Sequence, residues 1–284
     1  MTSNTARRLR PFSQVDVFSV EPYRGNPLAV VLEAEGLDTE DMQRFANWTN
    51  LSETTFLLPP TDPRADYRVR IFTGSEEFPF AGHPTLGSAH AWLEAGGVPR
   101  QDGELVQECG AGLVRVKRDG DRLAFAAPPL TRSGEVAESD LARIASGLRM
   151  PREELRDSSW LVNGPEWIGV LLDSAERVLA IKPDYAAMAG LNIGVVGPHP
   201  AGSEFGFEVR TFIPGDAAAE DPVTGSFNAG AAQWLIGTGR APESYRVAQG
   251  TVLGRAGRVH IDALDDDIWV GGHSVSCIEG FVLL

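Results

Sequence analysis

The chain repeats itself, and that constrains its fold more than any other feature. Arg70-Ile-Phe72 is followed by a loop and then Glu77-Phe-Pro79-Phe-Ala-Gly82-His-Pro-Thr-Leu-Gly87. Arg210-Thr-Phe212 is followed by a loop and then Glu220-Asp-Pro222-Val-Thr-Gly225-Ser-Phe-Asn-Ala-Gly230. Both read R-x-F, loop, E-x-P-x-x-G-x-x-x-x-G, and the second loop is three residues longer. Gly82 and Gly225 stand 143 positions apart in 284 residues, close to half the chain. A single repeat at that period implies two copies of one unit. Typical domains hold roughly 100–150 residues, so the length suits two.

Each copy has a readable form. Residues 67–72 and 205–213 are β-rich and partly alternating, so both are expected to be strands. Residues 83–95 and 226–237 are rich in Ala, Leu and Trp, with no charge until Glu94, so each predicts a largely buried helix. Gly82 and Gly225 then stand at helix starts, where a missing side chain lets a ligand approach backbone N–H groups. An anion suits such a start because the helix dipole favours negative charge. Two starts related by a pseudo-twofold axis would converge on one cleft between the halves.

Elsewhere the pattern is rich in strands. They are expected at 15–20, 28–32, 54–58, 113–117 and 122–126, the last two joined across Asp119-Gly120. The second half offers 161–162, 167–172, 193–196, 258–261 and 274–283. Asp38 is expected to cap a helix over 39–50 with Met42, Phe45, Ala46 and Thr49 on one face. Further helices are expected near 138–148 and 184–191, with Pro128-Pro129 and the polar run to Asp140 as the crossover between halves. Asp265-Asp266-Asp267 reads as a solvated turn. Strands that do not alternate strictly with helices predict an α+β fold rather than a doubly wound sheet.

Composition narrows the function. Asp and Glu number 39 against 25 Lys and Arg, a formal net charge of −14. That balance suits neither a nucleic-acid backbone nor an anionic membrane surface. No apolar run approaches the roughly 18 residues of a membrane span, and the positive N-terminus lacks the apolar segment of a secretion signal. Cys109 and Cys277 form neither a disulfide framework nor a zinc knuckle. A cytoplasmic protein is the expectation.

Four residues are candidates for chemistry. Glu53, in Asn50-Leu-Ser-Glu-Thr-Thr-Phe56, has uncharged neighbours, and partial burial would let it pass protons near neutrality. Read from its local sequence alone, it also suits a cap or a turn decoration. His83 at a helix start is expected to be neutral, either as a catalytic or as a structural hydrogen-bonding group. Asp221 aligns with Phe78 and Ser226 with His83, so the repeat is broken at its helix starts. Asp before Pro is also turn chemistry, and Ser226 suits an N-cap. The Gly82–Gly87 segment lacks Gly-Lys-Ser/Thr, so it is no nucleotide loop, and Ser226 lacks a nucleophile elbow. His83 and His90 share a helix face without a third ligand in register, and no metal or organic cofactor site is expected.

These motifs resemble the phenazine-biosynthesis PhzF-like family, which has the diaminopimelate epimerase-like fold. The likeness runs from Val15-Asp-Val-Phe18, Gly25-Asn-Pro-Leu-Ala-Val30 and Asn50-Leu-Ser-Glu-Thr54 through Phe80-Ala-Gly-His-Pro-Thr85 and Glu220-Asp-Pro-Val-Thr-Gly-Ser226. It ends with Gln249-Gly250, Gly254-Arg255 and Val270-Gly-Gly272. The resemblance implies two pseudo-symmetric halves, each a curved, mostly antiparallel sheet around a central helix. Residues 1–127 with 274–284 would form the first and 128–273 the second, with the active site in the cleft between them. It implies a homodimer and cofactor-independent isomerisation of a small carboxylated metabolite. Glu53 would be the general acid/base, with His83 and Asp221 catalytic, and Gly82, Gly225 and Ser226 binding substrate.

Related epimerases carry cysteines at the two helix starts. Glycines stand there in this chain, which disfavours a two-thiol inversion. Phe227 replaces the alanine common in relatives and would narrow the cleft, as loops 74–80 and 214–220 would shape it. Two alternatives are a hydrolase using Ser226, His83 and Asp221, and a non-catalytic metabolite-binding protein of the same fold.

Overall fold

The computed structural model describes residues 7–215 and 219–284. Residues 1–6 of the N-terminal segment and 216–218 of the 214–220 loop lie outside the described residues. The chain divides into two compact units. One ends at Ala126 and is completed by Gly272–Leu284; the other is Ala127–Gly271.

In the first unit the sheet runs, neighbour to neighbour, Ser274–Leu283, Leu9–Val17, Asn26–Val31, Thr54–Leu58, Tyr67–Phe72, Glu104–Cys109, Gly112–Asp119 and Arg122–Ala126. Neighbours are antiparallel except at two seams, Asn26–Val31 with Thr54–Leu58 and Tyr67–Phe72 with Glu104–Cys109. A parallel seam needs a crossover rather than a hairpin. Helix α1 (Thr39–Thr49) crosses over the first and α2 (Gly82–Glu94) the second.

The second unit runs Arg132–Gly134, Asp157–Val162, Glu166–Leu171, Asn192–Pro198, Phe207–Phe212, Ser244–Gln249, Gly257–Leu264 and Asp267–Gly272. Its parallel seams fall at the same two places in the order. Helix α3 (Glu138–Leu148) joins the first two strands; α4 (Ala175–Leu179) and α5 (Gly225–Gly237) lie in the crossovers. The repeat read from one motif is thus a repeat of pairing order through each whole unit.

Helices α2 and α5 are buried over most of their lengths, as uncharged helices must be. Helix α2 packs on six strands spread across its sheet, from Ser274–Leu283 at one edge to Arg122–Ala126 at the other, so the sheet curves around it. Helix α5 packs on Asp157–Val162, Glu166–Leu171 and Gly257–Leu264. Each unit is therefore a mostly antiparallel sheet wrapped on a central helix, the expected α+β architecture. The amphipathic helices cover other apolar patches: Met42 and Ala46 of α1 bury against Val31, Phe56 and Phe72, and Leu141, Ile144 and Leu148 of α3 against Ile168, Val170 and Ile193.

The repeated R-x-F and Glu form a clasp. Arg70 Nε and Nη2 donate to the two Glu77 carboxylate oxygens at 2.7 and 2.6 Å, and its guanidinium lies 5.0 Å from the Phe72 ring centroid. Arg210 does the same with Glu220 at 2.8 and 2.8 Å, over Phe212 at 5.0 Å. Each clasp ties the central strand to the segment leading into the buried helix. A bidentate guanidinium–carboxylate pair adds geometric specificity as well as attraction.

Local elements agree and differ for physical reasons. Asp38 caps α1, its carboxylate accepting from Asp41 N at 2.8 Å, and Glu138–Leu148 is helical. The helix expected near 184–191 is instead a series of turns, held by Met188 N donating to Tyr185 O and Leu191 N to Met188 O. Met188 is buried against Gly147, where any side chain would collide with its sulfur at 2.6 Å. That packing wins over the local pattern, and the short helix forms earlier, capped by the Ser174 hydroxyl. The strand expected from 15 begins at Leu9, because the segment pairs with Ser274–Leu283 as well as Asn26–Val31. The crossover at 128–140 contains the short strand Arg132–Gly134 and the first turn of α3. Asp265 and Asp266 are exposed in a turn, while Asp267 begins a strand.

Candidate active site

Glu53, Gly82 and His83 belong to the first unit; Asp221, Gly225 and Ser226 belong to the second. In the first unit Glu53 stands immediately before strand Thr54–Leu58, and Asn26 opens the parallel neighbour Asn26–Val31. Helix α2 begins beside them, with Ala81 as its N-cap and no side-chain cap. This brings His83 Nε2 to 3.5 Å from Glu53 Oε2 and His83 Nδ1 to 3.4 Å from Asn26 Nδ2. His83 is almost fully buried and Glu53 mostly buried, their side chains 4% and 14% exposed.

Burial pushes the His83 imidazole down to about 3. The neutral ring expected from the helix dipole is present, but its cause is desolvation, which disfavours the charged form. The His83–Glu53 approach is therefore not an ion pair at neutral pH. At 3.5 Å it is also longer than the usual 2.7–3.2 Å of a hydrogen bond.

The turn before Asn26 is built for close approach. Asp16 is buried, and its Oδ2 accepts the backbone N–H groups of Arg24 and Gly25, both at 2.8 Å. A Cβ on Gly25 would lie 2.2 Å from Val17 O, so only glycine fits. Asn26 and Asp16 received no role from sequence reasoning. Their signal was present in Asp16-Val-Phe and Gly25-Asn-Pro, but the contact with His83 spans 57 residues.

In the second unit Asp221 is buried and accepts the Thr224 hydroxyl. Thr224 is the N-cap of α5, without a side-chain cap, and Gly225 is its first residue. Gln249 ties this turn together. Its Oε1 accepts from Thr224 N at 3.1 Å and Asn228 Nδ2 at 2.9 Å, and its Nε2 donates to Thr211 Oγ1 at 3.0 Å. In the first unit Gln107 Nε2 donates to Thr85 Oγ1 at 2.9 Å. In both units a glutamine on the parallel neighbour of the central strand thus reaches the fourth residue of the buried helix. Gln249 was a motif residue without a role in the sequence.

Ser226 is the second residue of α5, not its N-cap. Its Oγ accepts from Trp167 Nε1 at 3.0 Å and its carbonyl from Asn163 Nδ2 at 2.8 Å. Phe227 is fully buried inside its own unit, 5.8 Å from the Trp167 ring in an edge-on arrangement. A Cβ on Gly194 would meet the Phe227 ring at 2.0 Å. The glycine on strand Asn192–Pro198 makes the room that the larger ring fills. The expectation that Phe227 lines and narrows a cleft is corrected by this packing.

Both cysteines are free thiols, Cys109 in the strand Glu104–Cys109 and Cys277 in the final strand, and burial pushes each above its ordinary value. Neither lies at the start of α2 or α5. His90, two turns beyond His83, contacts Ser276 and Glu94, each at 3.2 Å. Among the described residues no group of three or more His, Cys, Asp or Glu side chains is placed to hold a metal ion. No helix among them is long and apolar enough to cross a membrane.

Comparison with known proteins identifies the family and the fold. The family model described as phenazine biosynthesis-like protein, PhzC-PhzF, matches residues 15–280. Antisense-enhancing sequence 1 of Schizosaccharomyces pombe is 36% identical, covering 95% of this chain and 97% of that protein. Trans-2,3-dihydro-3-hydroxyanthranilate isomerase of Pseudomonas aeruginosa is 33% identical, covering 93% and 92%. The crystal structure of an Enterococcus faecalis phenazine biosynthesis protein of the PhzF family shares the fold, with a TM-score of 0.80 at 24% identity over 98% of this chain and 100% of that one. A hydroxyproline epimerase from Agrobacterium vitis shares it at a TM-score of 0.61 and 15% identity, over 98% and 93%. The chain belongs to the phenazine biosynthesis-like PhzC-PhzF family and is an isomerase of that family.

Proposed function

We propose that the protein moves a proton, and with it a double bond, within a small carboxylated metabolite without a cofactor, and that Glu53 is the general acid/base. One observation carries this reading: a mostly buried carboxyl group faces an imidazole that burial keeps neutral, at a helix start without a side-chain cap. Of these two groups the carboxyl is the proposed proton carrier, because burial keeps the imidazole from taking up a second proton near neutrality. Glu53 removes a proton from carbon and returns it at another carbon. The helix-start amides at Gly82 supply donors to an anionic substrate, and His83 orients the groups around it. Asp221, Gly225 and Ser226 complete the proposal as groups that hold or orient the substrate. The relative from Pseudomonas aeruginosa, named for a dihydro-hydroxyanthranilate, supports a small unsaturated carboxylate as the substrate class.

Incubation with such carboxylates in D₂O, read by mass spectrometry, tests the reading. Enzyme-dependent deuterium uptake is expected, and Glu53→Gln should lower the rate about 10²–10⁴-fold while leaving the melting temperature unchanged. Full exchange by Glu53→Gln would refute the assignment. Binding without exchange in the wild-type protein would favour the non-catalytic alternative. The hydrolase alternative is disfavoured by the Trp167 N–H on Ser226 Oγ, since a donor does not activate a hydroxyl. Failure of a serine-directed phosphonate to label Ser226 is expected. A cytoplasmic homodimer belongs to the same proposal. Exposed Leu9, Phe281 and Leu283, on paired outer strands of the first unit, support it, and sedimentation measures it.

A further inference from the structure

The geometry points to Asn26 as the positioning residue that holds His83 in its Nε2–H tautomer, so that the ring presents a hydrogen-bond donor toward Glu53. The inference rests on the proposed role of Glu53 and extends it to the state of its neighbour.

A neutral imidazole carries one proton, and the hydrogen bond at one nitrogen decides which nitrogen holds it. An amide nitrogen only donates. Asn26 Nδ2 lies 3.4 Å from His83 Nδ1, so Nδ1 is the acceptor there and the proton sits on Nε2. Nε2 is the nitrogen that faces Glu53 Oε2 at 3.5 Å. The carboxylate then has a donor on one side in its ionised form and loses that match when it takes a proton. A ring with the opposite tautomer would present a lone pair to Glu53. It would favour the protonated carboxyl group and repel the carboxylate that must act as base.

Several features make Asn26 suited to this task. Its side chain is fully buried, so water does not compete for Nδ1. The backbone ahead of it is pinned by Asp16 through the N–H groups of Arg24 and Gly25, where Gly25 leaves no room for a side chain. On its other side it enters the strand through pairing of Asn26 with Val17. His83 is held from the opposite direction by the start of α2, where the Thr85 hydroxyl donates to Ala81 O at 2.9 Å. The two residues therefore meet from rigid elements.

The measurement is the tautomer itself. Protein labelled with ¹⁵N-histidine, with His83→Gln used to assign the signals, reports by long-range proton–nitrogen correlation which ring nitrogen is protonated. The wild type is expected to show Nε2–H throughout the neutral range. Asn26→Asp, whose carboxylate accepts, is expected to move the proton to Nδ1 and to lower kcat roughly 10²-fold or more with KM little changed. Nδ1–H in the wild-type protein would overturn the inference even if no variant folds. So would an unchanged tautomer in Asn26→Asp. The assignment of Glu53 is judged separately by deuterium uptake in Glu53→Gln. Loss of uptake there together with Nδ1–H in the wild type would leave Glu53 as the base and remove the role of Asn26. Retained uptake together with Nε2–H would do the reverse.

Discussion

Glu220→Gln is expected to destabilise the second unit far more than Glu77→Gln destabilises the first, although both break the same repeated clasp. The Arg210 and Glu220 side chains are 3% and 7% exposed, whereas those of Arg70 and Glu77 are 18% and 38% exposed. Arg210 also donates from Nη1 to Ile181 O at 2.7 Å, so its guanidinium is committed to the interior. Glutamine keeps the shape of Glu220 but removes its charge and one acceptor, and leaves a buried cation without its counter-ion. Breaking a buried pair in this way costs about 3–5 kcal/mol. The retained acceptor argues for the lower end. A pair as exposed as Arg70–Glu77 contributes about 0–1 kcal/mol and weakens with salt. At about 2–4 °C per kcal/mol for a domain of this size, Glu220→Gln should lower the melting temperature by roughly 6–12 °C and Glu77→Gln by no more than about 4 °C. Urea unfolding at low and at 0.5 M salt measures both. A double replacement, Arg210→Met with Glu220→Leu, should lose less stability than Glu220→Gln alone, because it leaves no charge behind. Equal losses for the two single variants, or a double variant worse than Glu220→Gln, would refute the argument.

Titration of His83 gives a second test. Its folded value of about 3 lies below the ordinary 6.5, so the unfolded chain binds more protons between these limits. Its contribution is full above about pH 6.5 and is lost as the pH falls toward 3, and His83→Gln should flatten that part of the stability profile. A wild-type profile with no such slope attributable to His83 would refute its burial in neutral form. Packing gives a third. Phe227→Ala should cost about 3–5 kcal/mol by opening a cavity, and Gly194→Ala about 1–3 kcal/mol by crowding the same ring. Combined, the two should cost less than their sum, a coupling that unfolding of the double variant measures. Strict additivity would mean that the two residues do not share one space.

Much of the architecture is legible residue by residue. Asp38 and the apolar spacing after it mark α1, and the uncharged runs after Gly82 and Gly225 mark two buried helices, because capping and periodicity act over a few residues. The segment 184–191 fails the same kind of reasoning, since burial of Met188 against Gly147 is a tertiary event. Glu53 and His83 stand out by motif, yet the chain of Asp16, Gly25 and Asn26 behind them does not. Their meeting depends on the antiparallel register that sets Asn26 opposite Val17 and on a parallel seam that places Asn26–Val31 beside Thr54–Leu58.

By itself the sequence determined that one unit occurs twice, where its two buried helices begin, and which residue types break the symmetry between them. These are properties of order and period, which any chain with this pattern must express. Only the tertiary structure decided that His83 meets Asn26 on one side and Glu53 on the other, that Phe227 turns inward over Gly194, and that one of two identical clasps is buried while its twin faces solvent. Those outcomes follow from strand register and from the packing that excludes water, and both are set by partners that lie far away along the chain.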